Sequence, residues 1–99
     1  MKLLIVTLLE THRKEVLSIF EESGINAFST SEIEGHKFST TADDFFNAES
    51  ETKKSLMFFS FTTEEKITPL FKLVTSFNRN AVTHNPLRVV VLPVERAIY

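Results

Sequence analysis

Four short strands and two amphipathic helices, in the order strand, helix, strand, strand, helix, strand, predict an α+β domain. Three observations carry that prediction. The apolar runs 3–9, 56–61 and 87–94 have strand length and are bounded by polar residues. Two further segments keep apolar residues at helical spacing: Val16, Leu17, Ile19 and Phe20 in one, Ile67, Leu70, Phe71, Val74 and Phe77 in the other. A length of 99 residues suffices for one core and one domain, covering 1–99.

The first strand is the nearly continuous apolar run 3–9, interrupted only by Thr7. Such a run fits a strand covered on both faces. Thr11 is placed to cap the first helix, whose wet side carries Arg13, Lys14, Glu15, Glu21 and Glu22. Gly24 ends it, because glycine takes the left-handed cap conformation without a side-chain clash. Residues 25–34 read as a second strand, polar enough for a sheet edge, with Gly35-His36-Lys37 ending it. The Ser/Thr/Asp/Glu-rich stretch after it reads as a mobile loop, about 36–52, with Phe45-Phe46 as its apolar exception.

The third strand is 56–61. Thr62 with Glu65 fits a capping box for the second helix. Pro69 sits awkwardly in that helix, unless Thr68 is the cap and Pro69 the first helical residue. Residues 78–86, rich in Asn, read as a loop. The last strand is 87–94, with Pro93 tolerable at an edge. This order gives the ferredoxin-like βαββαβ arrangement, a four-stranded antiparallel sheet with both helices on one face.

Composition narrows function. Cys is absent, which removes disulfides, thiol catalysis and iron–sulfur clusters. Lys+Arg is 11 and Asp+Glu 13, so there is no basic field for nucleic acid. The N-terminal apolar run is too short to cross a bilayer and lacks a signal-peptide cleavage site, so no membrane insertion is expected and the expected compartment is the cytoplasm. Aromatic content is 10 Phe, 1 Tyr and no Trp. Two helices cover only one sheet face, yet strands one, three and four are apolar at consecutive positions. The uncovered face therefore predicts an oligomer with its sheets packed together.

The residues also carry a resemblance. Thr30-Ser31-Glu32-Ile33-Glu34-Gly35 is similar to the second strand of the PII signal-transduction family, running into the glycine that opens its long loop. Val89-Val90-Val91-Leu92-Pro93-Val94-Glu95-Arg96-Ala97-Ile98 is similar to that family's last strand and its "Val-x-Pro-Val-Glu" ending. The order of elements resembles the family over nearly the whole chain. This nitrogen regulatory, PII-like resemblance implies a homotrimer with inward-facing sheets. It also implies a small effector, usually an adenine nucleotide, in clefts between subunits. The long loop would engage a protein partner, often a membrane transporter or an enzyme. The sequence departs from the family in three places, the first being that the long loop is short here and lacks the family's modified tyrosine. The loop after the second helix has no glycine to admit a phosphate closely, and the sequence ends at Tyr99, about where the family's distal arginines would begin. The effector is therefore left unassigned.

Candidate ligand residues follow. Gly35, His36 and Lys37 stand at the loop base. Arg79, with Asn78, Asn80, Thr83, His84 and Asn85, forms the densest polar group, suited either to an anion or to a turn-rich connector. Arg88 is a charge in an apolar strand, at an edge or across a subunit boundary, and Arg96 could add charge at the same cleft. Phe45 and Phe46 are the candidate partner contacts, while Phe28 and Phe38 are placed at the loop base. His12, His36 and His84 lack metal-ligand spacing, although trimer clefts could join His36 to His84. A metal-responsive module, similar to trimeric divalent-cation tolerance proteins, is thus the alternative to a regulatory trimer. No nucleophile elbow, phosphate loop or dinucleotide fingerprint supports an enzyme.

Overall fold

The structure is a computed structural model that describes residues 1–37, 51–81 and 85–98. Strand β1 (Lys2–Leu9) is followed by a 3-10 turn (Glu10–His12) and helix α1 (Arg13–Glu22). Then come β2 (Ser29–Lys37), β3 (Glu51–Thr62), helix α2 (Glu64–Asn80) and β4 (Arg88–Pro93). The sheet order is β2-β3-β1-β4, with every neighbouring pair antiparallel. This is the expected ferredoxin-like arrangement, with β2 and β4 at the edges.

The core lies between one sheet face and the helices. Leu4, Val6 and Leu8 of β1 alternate inward and meet Ser60, Phe58 and Leu56 of β3 in register. Val16, Ile19 and Phe20 of α1 and Leu70 and Val74 of α2 close over them. Phe20 meets Phe28 edge-on at 4.9 Å and Phe58 at 5.5 Å, and Phe28 stacks on Phe58 at 5.5 Å. Phe28 thus belongs to an aromatic core cluster and not to the loop base where the sequence placed it.

The end of α1 matches its glycine. Gly24 has φ 78°, the Gly24 amide donates to the Glu21 carbonyl, and the Ile25 amide donates to the Phe20 carbonyl. This is the double-bonded glycine cap, with Ile25 and Phe20 both buried in the core.

The helix starts differ from expectation. Thr11 falls inside the 3-10 turn, and His12 takes the cap position of α1 without a side-chain cap bond. Thr62 is a buried strand residue and Thr63 precedes α2, so the capping box does not form. Thr68 is no cap either. Its hydroxyl donates back to the Glu64 carbonyl at 3.1 Å, and Pro69 sits within the helix.

The largest differences lie in β2 and β3. Strand β2 starts four residues later than the sequence suggested and runs through Gly35, His36 and Lys37 (Ser29–Lys37), while β3 begins at Glu51. Beyond the Leu9↔Ser55 pair β1 has ended, and β2 and β3 continue alone as a two-stranded ribbon from Glu34↔Lys54 to Lys37↔Glu51. Among the described residues no third strand pairs with it, and its sequence has no apolar alternation, so residues 36–37 and 51–52 read as loop.

Candidate functional site

A cleft of about 340 Å³ opens where β1 ends, β2 and β3 become the ribbon and β4 begins. Its walls are Thr7, Leu8 and Leu9 of β1, Ile33, Gly35 and His36 of β2, and Ser55 of β3. Asn85 and Pro86, with Arg88 at the start of β4, complete it. Register explains the meeting. Thr7 pairs with Arg88 across β1 and β4, while Ser55 pairs with both Leu9 and Ile33. Strand alternation turns Thr7, Leu9, Ile33, Gly35, Ser55 and Arg88 toward the face that the helices leave open.

Half of the expected ligand residues therefore converge: Gly35, His36, Asn85 and Arg88 share one cleft. Lys37 ends β2, one residue past His36 and opposite Glu51. Thr83 and His84 lie outside the described residues, as do the expected partner contacts Phe45 and Phe46. Arg79 does not join the cleft. The helix continues through the expected loop to Asn80, so Arg79 is an exposed residue of its last turn, where a cation favours the negative helix end.

The chemistry of the walls is mixed. Arg88 is exposed and, among the described residues, no carboxylate stands within ion-pair distance of it. A guanidinium with no carboxylate partner among the described residues offers several donors to an anion. Thr7 and Ser55 bring hydroxyls, Asn85 an amide and His36 an imidazole, whose Nε2 lies 3.3 Å from Glu34 Oε2. Leu8, Leu9, Ile33 and Pro86 supply the apolar remainder. A concave site with few polar groups and apolar walls is the usual form of a small-molecule site, and its volume sits near the low end of the usual range of about 300–1,000 Å³. No group of three or more His, Asp or Glu side chains is placed to hold a metal among the described residues.

Gly35 has a distinct position. Its φ is not in the left-handed region, and among the described residues a Cβ added there would meet the Ser55 hydroxyl alone, at 3.7 Å. The fold therefore tolerates a side chain at a position where the cleft has none.

Sequence reasoning missed Thr7, Ser55 and Ile33. Thr7 had a signal, being the only polar residue in the run 3–9. It also missed the role of Asn78, whose amide donates to the Leu87 carbonyl and accepts from the Leu87 amide, both at 2.9 Å.

No protein-family model matches the chain, and no curated protein does. Among solved structures it is similar to CPII, a nitrogen regulatory PII-like protein from Thiomonas intermedia K12, in a structure bound to ADP, AMP and bicarbonate. The TM-score is 0.64 at 16% identity, covering 98% of this chain and 94% of that one. The fold is thus PII-like over the whole described chain. Among the described residues, no helix is long and apolar enough to cross a membrane.

Proposed function

We propose that this chain is a divergent PII-like regulatory protein that binds a small anionic effector in the cleft beside Arg88 and relays occupancy to the β2–β3 ribbon. The observation that carries the reading is the position of the cleft. Gly35 and His36 on β2 and Ser55 on β3 wall it at the root of the ribbon. A ligand seated there touches both strands where they leave the sheet. Any difference in its contacts between two ribbon arrangements shifts their populations.

The resemblance and the PII-like fold together favour ADP, AMP or bicarbonate as the first effectors to test. Each is an anion that Arg88 could receive, and each is bound by the similar protein from Thiomonas intermedia. The reading includes no catalysis. It places the protein in the cytoplasm as a homotrimer, the open sheet face forming the subunit contact. Phe45 and Phe46, between β2 and β3, are its contacts with a protein partner such as a transporter. Changing both to Ser should abolish capture of that partner and leave the oligomer intact.

The test is a thermal-shift series with ADP, AMP and bicarbonate, followed by calorimetry. A ligand at about a hundredfold its dissociation constant adds about 2.7 kcal/mol to the native state and raises Tm accordingly. A shift that disappears in Arg88→Met supports the reading. Absence of any shift with all three sinks it.

A further inference from the structure

The start of β4 is not held by strand pairing alone. Asn78 lies in the last turn of α2, half-buried, and its side-chain amide grips one peptide unit on each side of Leu87. Its Nδ2 donates to the Leu87 carbonyl and its Oδ1 accepts from the Leu87 amide, so one amide orientation satisfies both bonds. Leu87 itself is 3% exposed and packs in the core. Asn85 and Pro86 precede it and Arg88 follows it, and all three line the cleft. Asparagine is a poor helix residue because its side chain competes for backbone bonds. Here that capability is turned outward, onto a strand start.

We infer that Asn78 is a positioning residue for the cleft, setting the place of Asn85 and Arg88 through Leu87 without itself lining the site. This rests on the effector-binding reading above. Loss of the amide donor would leave the Leu87 carbonyl without this partner and free the wall that carries the guanidinium. The nearby Asn80 provides the contrast. It is exposed, in the same helical turn, and among the described residues its side chain reaches Ser76 Oγ, at 3.5 Å.

The experiment compares wild type, Asn78→Asp, Asn78→Ala and Asn80→Ala, below the melting onset of the weakest variant. The readouts are the dissociation constants of ADP, AMP and bicarbonate and amide hydrogen exchange residue by residue. Asn78→Asp keeps the shape and the acceptor but presents a second oxygen to the Leu87 carbonyl. Expected for both Asn78 variants are about tenfold weaker binding, the size of one lost hydrogen bond, and faster exchange at Leu87. Exchange at Val6 and Phe58 should stay as in wild type, and Asn80→Ala should change neither readout. Faster exchange at Leu87 with unchanged affinity would overturn the inference, leaving Asn78 a fastener of the fold only. Faster exchange throughout the core would overturn it as well, since the effect would then be global. If wild type binds none of the three ligands, the effector reading itself fails and takes this inference with it, an outcome distinct from wild-type binding that the variants leave unchanged.

Discussion

On β1, Leu4, Val6 and Leu8 point at the helices and are buried, while Leu3, Ile5 and Leu9 alternate to the other side and keep part of their surface in water. The same contrast runs across the sheet. Phe58 is 1% exposed and Phe61, three residues on and on the opposite face, 45%; on β4, Val90 is 51% exposed and Leu92 44%. The two faces carry the same kinds of residue and differ in what lies over them. One face holds the single chain together. The other is an apolar surface, from Leu92 and Val90 through Leu3 and Ile5 to Phe61 and Phe59 in register, that does little for the chain alone and that the proposed homotrimer would bury. It stops at the polar Ser29 and Ser31 of β2, which pair with Phe59 and Met57.

The comparison can be broken at its strongest point first. Phe58→Ala empties the aromatic cluster and should cost about 3–5 kcal/mol in urea unfolding. Phe59→Ala, measured on dissociated chain, should cost much less. Equal losses would mean that the two faces are alike within one chain. Next, Ile5→Glu combined with Val90→Glu puts carboxylates on the open face. The chain should stay folded by circular dichroism while its mass by light scattering falls to that of a single chain. A mass unchanged from wild type would remove this face from the interface.

Two smaller effects sharpen the contrast at the edge of the open face. Arg88→Met should weaken anion binding by about 1.5–3 kcal/mol, the range for a hydrogen bond to a charged group, and leave Tm almost unmoved because Arg88 is exposed. Gly35→Ala is the most selective. The fold accommodates the methyl group and the unfolded chain loses freedom, so stability should hold or rise by up to about 1 kcal/mol. Effector affinity should fall in the same protein, because the methyl group enters the cleft. A loss of stability in step with affinity would assign the glycine to the fold.

The order of the elements was legible because the core wrote it plainly. Leu4, Val6 and Leu8 mark a strand, and Val16, Ile19, Phe20, Leu70 and Val74 mark two helix faces. Gly24 marked its helix end for a reason that is purely local. The sequence was misleading where tertiary context replaced local preference. Residues 36–37 and 51–52 looked like loop because this stretch of sequence has no apolar period to display. Asn78 and Asn80 looked like turn residues, yet α2 runs through them, with the Asn78 side chain spent on Leu87. Arg79 followed them into the helix and away from the cleft. The candidate site was half legible. Gly35, His36, Asn85 and Arg88 were visible as unusual residues at element ends, whereas Ser55 and Ile33 join them only through strand register, which one sequence does not state.

The polar ribbon has one more consequence. Register is firmly specified where a slip would turn core residues into water, and weakly specified where both sides are polar. The ladder from Glu34↔Lys54 to Lys37↔Glu51 is of the second kind, and the ladder from Ser29↔Phe59 to Glu32↔Leu56 is of the first. The ribbon's four pairs set Glu34, Gly35, His36 and Lys37 against Lys54, Lys53, Thr52 and Glu51, with no apolar residue among them. The cleft lies at the joint between the two ladders, so a ligand there meets a firmly specified register on one side and a weakly specified one on the other.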